Sequence, residues 1–308
     1  MTVIVGAGLC GLWLGNRLKN KNEPFCIIEK SRGVGGRMAT RRTERAKWDH
    51  GAQFYSLQPS MTTLHERWRK AGLVKEWFQT EGSVRYCSPS GMTALAKNLA
   101  MGLDVRCEQR VTQIQAISSG WNLQIENSKP LSAQSILLTC PLPQSLDLLE
   151  NSGIQAPLEL RQVRYAKALV ALFEDVRTQP EISFKNGFIE EPQPSRIFSI
   201  ADQYVKGLSQ VPAWTVTMNP EFSEQFFETD EASVLREIES DLKNLAPFFE
   251  YRSVQLKKWR YSHPLNPSGT GYAKVAEGLY LAGDGLARPS LLGAISSAES
   301  LSKILSNP

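Results

Sequence analysis

Three histidines, His50, His65 and His263, are too few for a histidine-rich metal centre, and no metal site is expected. The five cysteines, Cys10, Cys26, Cys87, Cys107 and Cys140, are odd in number and form no CxxC pair. That pattern argues for reduced structural thiols rather than a disulfide framework or a redox couple, and so for the cytoplasm. No GxSxG elbow is present, which excludes the common hydrolase arrangement. A net charge of +4 without any long Lys/Arg block excludes a basic nucleic-acid tract. The longest apolar stretch, 166–173, is broken by Lys167 and falls far short of the roughly 20 residues that span a bilayer. No leader is expected, because a glycine motif begins almost at Met1. Repeats and low-complexity tracts are missing too. What remains, 308 residues with 42% hydrophobic and 21% charged content, is enough to bury a large core and to form two domains.

The N-terminal residues carry the strongest signal. Val3-Ile4-Val5 reads as a buried strand, followed by Gly6-Ala7-Gly8-Leu9-Cys10-Gly11 and a helix whose apolar side is Leu9, Leu12, Leu14 and Leu18. Gly6 permits the tight turn, Gly8 lets backbone approach a pyrophosphate, and Gly11 lets helix and strand pack closely. A second strand, Phe25-Cys26-Ile27-Ile28, ends at Glu29, eighteen residues beyond Gly11, where a carboxylate can accept ribose hydroxyl hydrogen bonds. The same carboxylate repels a 2'-phosphate. With Gly35-Gly36-Arg37-Met38 close behind, the pattern implies bound FAD rather than a nicotinamide nucleotide at this position.

The C-terminus supplies the other half. Leu279-Tyr280-Leu281-Ala282 reads as a late parallel strand, followed by Gly283-Asp284-Gly285 and a helix with Leu292, Ile295, Ala298, Leu301 and Leu305 on its apolar side. Asp284 is placed to accept a ribityl or phosphate-adjacent hydroxyl. The amides of Leu291 and Leu292 are placed to face a flavin carbonyl, where negative charge gathers on reduction.

Between these ends, strands are expected near 103–107, 111–117, 121–125 and 135–138, with helices from Ser60, from Ser90 and after Pro143. A second set of strands is expected at 167–173, 184–189, 198–202, 213–218 and 251–260. Beside them Val234, Ile238, Leu242 and Leu245 form a helical stripe that needs a sheet to cover it. The turn-rich stretches 151–158 and 180–196 read as loops or domain edges. The expected class is α/β: a Rossmann-like FAD-binding domain in discontinuous segments (1–52, 91–154 and 266–308) and an α+β mixed-sheet substrate domain (53–90 and 155–265).

The segments Glu29-Lys30-Ser31-Arg32-Gly33-Val34-Gly35-Gly36-Arg37-Met38-Ala39-Thr40-Arg41-Arg42 and Asp49-His50-Gly51-Ala52-Gln53-Phe54 resemble the renalase branch of the flavin amine oxidase superfamily. Trp259-Arg260-Tyr261 and Ala282-Gly283-Asp284 extend the resemblance over nearly the whole chain. It implies noncovalent FAD, with Gly6, Gly8 and Gly11 around the pyrophosphate and Glu29 on the adenosine ribose. It further places Gly36 and Arg37 on the phosphate side, the backbone of Val111 near adenine, and Asp284 by the ribityl chain. The substrate domain then lies over the isoalloxazine ring.

On the substrate side, His50, Gln53, Phe54, Trp214, Trp259, Arg260 and Tyr261 are candidates for flavin-ring or substrate contact. The aromatic members are suited to a flat wall, Gln53 to a polar ring edge, and Arg260 to a dinucleotide's negative charge. No protein residue stands out as a catalyst. The resemblance implies oxidation of isomeric 2- or 6-dihydro-NAD(P) to NAD(P), with hydride passing to flavin N5 and molecular oxygen reduced to hydrogen peroxide. Three alternatives stay open: a flavin amine oxidase, an NAD(P)H or quinone oxidoreductase, and a non-enzymatic FAD-containing binding module. The absence of a second GxGxxG counts against a separate pyridine-nucleotide domain, and Gly269-Thr270-Gly271 does not supply one, because Lys274 takes the last glycine position.

Overall fold

The computed structural model describes residues 1–80, 82–176, 185–192, 195–247 and 249–305. It divides into two compact units, each assembled from separated stretches of chain. Unit 1 comprises Met1–Gly36, Ala96–Tyr165 and His263–Pro308; unit 2 comprises Arg37–Leu95 and Ala166–Ser262. The first crossing thus follows Gly36, where the sequence reading draws it at residue 52. Residues 40–49 form a hairpin, Thr40–Arg42 with Lys47–Asp49, whose contacts lie with unit 2.

Unit 1 is built on a six-stranded sheet. Its order is Tyr272–Ala276, Leu279–Ala282, Ser135–Leu138, Thr2–Val5, Phe25–Ile28, Val105–Arg106. Thr2–Val5 runs parallel to both neighbours, Val3 facing Cys26 on one side and Ile136 on the other. Val3, Ile4, Cys26, Ile27, Ile136 and Leu137 are fully buried, which explains why these strands read as unbroken apolar runs instead of alternating ones. The helices Leu9–Asn20 and Leu291–Ile304 pack together, and Trp13 Nε1 and Arg17 both reach Glu299, the former at 2.5 Å. A three-stranded antiparallel sheet of Val111–Ile117, Gly120–Ile125 and Leu131–Ala133 completes the unit. The edge strand Tyr272–Ala276, antiparallel to Leu279–Ala282, is a finding the sequence reading lacks.

Unit 2 centres on a five-stranded sheet in the order Phe188–Glu190, Ile197–Asp202, Ala213–Met218, Tyr165–Asp175, Tyr251–Pro264. The strand expected from Phe184 begins outside the described residues, as does part of the turn-rich stretch 180–196. Leu169, Ala171 and Phe173 face the helix Glu231–Leu245, while Ala168, Val170 and Leu172 face Ala46 and Trp48. Burial on both faces gives the continuous run at 168–173. The helix starts at Asp230, whose side chain accepts from Ser233 N at 2.9 Å, and it buries Val234, Ile238 and Leu242 completely. Each such side chain contributes about 1.5–3 kcal/mol of burial. A further antiparallel sheet joins Tyr55–Ser56, Ser83–Cys87 and Lys75–Thr80; Tyr55–Ser56 and Lys75–Thr80 are also new. Among the described residues no helix is long and apolar enough to cross a membrane, and no cluster of His, Cys, Asp and Glu could hold a metal ion.

Candidate active site

In unit 1 the glycine motif forms an open cradle at the carboxyl ends of the parallel strands. Gly8 occupies the N-cap of its helix, so no side chain caps the first-turn amides. A Cβ on Gly8 would meet nothing within 4 Å, and one on Gly36 would meet only the Gly8 Cα at 3.6 Å. Two bare stretches of backbone therefore border the same opening, as a pyrophosphate at a helix N-terminus requires. Gly11 serves packing instead: its Cβ would lie 2.0 Å from the Gly6 carbonyl oxygen and 2.8 Å from Thr139 Oγ1.

Glu29 is 8% exposed, and its carboxylate is held at both oxygens. Oε2 accepts from Ala7 N and Oε1 from Ser31 N, each at 2.8 Å. Each oxygen keeps a lone pair for a ribose hydroxyl. The bond to Ala7 ties the end of the second strand to the phosphate loop, a link that motif spacing does not show. Asp284, 3% exposed, accepts from Tyr165 Oη at 3.1 Å. Ser290 caps the last helix by accepting from Gly293 N, which leaves the amides of Leu291 and Leu292 at the first turn without a capping side chain. Val111 opens its strand opposite Ile125, its side chain packed against the apolar core. Donors, acceptors and bare backbone in this unit fit an FAD.

In unit 2 the two distinctive segments meet. A Cβ on Gly51 would strike the Arg37 carbonyl oxygen at 2.0 Å, and Ala52 N donates to that oxygen at 2.9 Å. The Arg37 side chain donates to the Ser262 carbonyl at 2.9 Å, reaching the end of the Trp259-Arg260-Tyr261 strand. His50 stacks on Trp259 with centroids 5.4 Å apart, and Trp259 Nε1 donates to the His50 carbonyl at 2.7 Å. Among the described residues His50 Nδ1 is buried without a hydrogen-bond partner. Burial, and then the positive charge of Lys257, lowers the His50 pKa to about 4, so the ring is neutral at physiological pH.

That shift has a measurable sign. Between pH 6.5, the ordinary value, and about 4, the unfolded chain binds a proton on His50 that the folded chain refuses. Stability from this residue is complete above 6.5 and is lost as pH falls toward 4. We expect the unfolding free energy to decline through this window and the decline to be shallower in His50→Gln. Identical slopes in denaturant titrations of the two proteins would disprove it.

Behind His50 lies a buried polar network absent from the sequence reading. Lys206 and Asp49, both fully buried, pair at 2.8 Å. Asp49 also accepts from Thr40 Oγ1 at 2.6 Å and from Met92 N at 2.9 Å. Gln53 lies within this network: its Nε2 donates to the Asp49 and Gly51 carbonyls, and its Oε1 accepts from Lys206 and Gln203. Both ends of the Gln53 amide are thus engaged within unit 2.

Two further expectations change. Trp214 is fully buried and stacks on Phe249 at 4.7 Å; strand alternation puts it with Val216 on the helix-covered face and Thr215 on the other. It belongs to the core and not to a ligand wall. Arg260 pairs with Glu228 at 3.0 Å and lies over Phe227, on the face of its strand opposite Trp259 and Tyr261. Its charge is therefore already met. Phe54 does enter an aromatic cluster, but with Trp77, Phe78 and Phe188, none of which the sequence singled out. The Arg85 guanidinium sits 5.1 Å from the Phe54 ring centre, and Lys206 Nζ sits 4.8 Å from that of Trp77.

Comparison with known proteins settles the family. Residues 4–68 match the profile of the NAD(P)-binding Rossmann-like domain. Residues 69–302, well over half the chain, match that of flavin containing amine oxidoreductases. The chain belongs to the flavin containing amine oxidoreductase family. This flavin amine oxidoreductase is 23% identical to the renalase of Mus musculus, over 98% of each chain. Its fold is shared with a protein from Exiguobacterium sp. 255-15 that bears the name protoporphyrinogen oxidase (TM-score 0.77, 13% identity, 99% and 98% of the two chains). A putrescine oxidase solved with putrescine has the same fold (TM-score 0.73, 13% identity, 100% and 99%). The protein is an FAD-dependent oxidoreductase, with a Rossmann-like nucleotide fold and a second mixed α/β region.

Proposed function

We propose that this flavoprotein oxidises isomeric 2- or 6-dihydro-NAD(P) to NAD(P). The observation that carries the reading is the commitment of the polar groups around the Asp49–Phe54 segment. Asp49, Lys206 and Gln53 satisfy one another, and His50 is held neutral, so none of these groups is set up as a tuned proton acceptor for an amine. Oxidation of a dihydropyridine ring needs no such base, because the ring leaves as an aromatic cation once a hydride departs. The full-length likeness to renalase supports the same reading.

When bound, FAD supplies the two-electron chemistry, accepting the hydride and returning the electrons to molecular oxygen to give hydrogen peroxide. The protein's residues supply the holding. Gly6, Gly8, Gly11 and Gly36 leave room for the pyrophosphate, Arg37 offers it a rigid fork of donors, and Glu29 and Asp284 take cofactor hydroxyls. Val111 lends backbone to the adenine, and the amides of Leu291 and Leu292 orient toward a ring carbonyl. His50, Phe54, Trp259 and Tyr261 provide the flat apolar surface for the dihydronicotinamide. The last cysteine in the chain is Cys140, so no thiol follows Asp284 to form a thioether, and the cofactor is held noncovalently. A cytoplasmic setting goes with this reading, supported by five cysteines that form no disulfide.

Anaerobic mixing tests the assignment. The 2- or 6-dihydro isomers should bleach the oxidised flavin band within seconds, and oxygen should restore it with peroxide formed. Acid should release the intact FAD into the supernatant. Bleaching by small amines, or by ordinary NAD(P)H, in preference to the isomers would replace this reading with an amine oxidase or a conventional reductase.

A further inference from the structure

Two cations beside the His50–Trp259 stack converge on a single neutral acceptor. Arg41 Nε donates to Gln255 Oε1 at 3.1 Å, and Lys257 Nζ donates to the same oxygen at 3.3 Å. Alternation along Tyr251–Pro264 puts Gln255, Lys257, Trp259 and Tyr261 on one face. Arg41 stands opposite Trp48 in its hairpin, and Trp48 packs in the same cluster as Trp259. The arrangement is one-sided in charge. Among the described residues neither Arg41 nor Lys257 has a carboxylate within ion-pair distance, whereas Arg45, Arg252 and Arg260 all do. Neighbouring Arg42 is occupied by the Ser90 and Thr40 carbonyls. Among the described residues Glu231, which accepts from Leu256 N, is the carboxylate that acts on Lys257 through space. Partial burial, and then the Arg41 charge, destabilises the Lys257 ammonium and lowers its pKa. Two like charges held this way are relieved by an anion.

We propose that Arg41 and Lys257, meeting at Gln255 next to the aromatic stack, form a phosphate-recognition site for the nucleotide portion of the substrate. The proposal rests on the dihydronicotinamide reading above and assigns it a source of affinity. Trp259 and His50 offer the planar surface, and the two cations offer charge-assisted donors to a phosphate a few ångströms along the strand. The Gln255 amide can turn its NH2 toward the same anion. This is the charge complement the sequence reading sought in Arg260, found three residues earlier on the other face of the strand in Lys257 and in the hairpin at Arg41.

The test compares donors that differ only in phosphate, using the holoenzyme. Each of Arg41→Gln and Lys257→Gln should raise the half-saturating concentration of the isomeric dihydronicotinamide mono- and dinucleotides about tenfold, and the double variant about a hundredfold. The unphosphorylated riboside should change less than about twofold by the same reasoning, with FAD retained. Arg252→Gln, an exposed change on the same strand, serves as the control and should alter neither. Titration calorimetry with inorganic pyrophosphate gives a readout free of turnover: the parent should bind it and the double variant should not. Equal losses with riboside and nucleotide, or pyrophosphate binding that is weak in the parent or survives in the double variant, would overturn the site. If no isomer reduces the parent's flavin, the substrate reading fails, and the calorimetry still decides the anion site.

Discussion

Gly8→Ala is expected to cost this protein its cofactor while leaving the apoprotein within about 1 kcal/mol of the parent, the usual penalty for alanine at an N-cap. A Cβ at Gly8 finds open space in the chain itself, so nothing in the fold resists it. On the proposed placement, the methyl group instead fills the opening that takes the pyrophosphate. Loss of the close amide–phosphate contacts should weaken FAD binding by about a hundredfold, at 1.5–3 kcal/mol for each charge-assisted bond. Gly11→Ala provides the contrast. Its Cβ would lie 2.0 Å from the Gly6 carbonyl oxygen, so backbone must move and the apoprotein itself should lose several degrees of thermal stability. Thermal unfolding of the two apoproteins, alongside fluorescence titration with FAD, separates the cases. Parent-like FAD affinity in Gly8→Ala would remove the phosphate from this loop.

Lys206→Met should be the most destabilising single change in unit 2, by about 3–5 kcal/mol, the range for breaking a buried ion pair. The loss comes less from the missing attraction than from Asp49, which is left charged at zero exposure with Thr40 and the Met92 amide as its remaining partners among the described residues. Adding Asp49→Asn to Lys206→Met removes that stranded charge and should recover a large part of the stability. Urea denaturation of the two single variants and the double variant measures this as a cycle. A Lys206→Met protein within 1 kcal/mol of the parent would show that the pair contributes nothing net.

Legibility in the sequence followed the distance over which each feature is built. The glycine turn between the first strand and helix was readable because Gly6, Gly8 and Gly11 act through backbone geometry within six residues, and Glu29 lies at a spacing set by one helix and one strand. The apolar runs at 3–5, 25–28 and 136–138 announced two-sided burial for the same local reason. The Lys206–Asp49 pair joins residues 157 apart and has no spacing to betray it. Strand alternation was visible at Trp259-Arg260-Tyr261, but it does not say which face meets the site; Glu228 and Phe227, contributed by another element, decide that. Trp214 looked like a ligand wall because aromatic residues serve cores and sites alike, and only the helix Glu231–Leu245 assigns it to the core. Lys75–Thr80 was missed as a strand because its charged and aromatic residues follow no simple alternation across a register shift.

The interleaving of the two units bears on how the polypeptide is made. Unit 2 has its last residue in hand at Ser262, while the nucleotide-binding sheet, begun at Thr2, still lacks the Leu279–Ala282 strand that flanks Ser135–Leu138. On the ribosome, then, the half that starts first finishes last. Once Thr2–Val5 has both its neighbours, the Ser135–Leu138 strand still waits for Leu279–Ala282, a state that exposes an apolar edge to other chains. Asp284 and the amides of Leu291 and Leu292 emerge later still. On the proposed placement of the cofactor, its capture is a closing event of biogenesis, and flavin supply during expression should govern how much of the chain escapes aggregation.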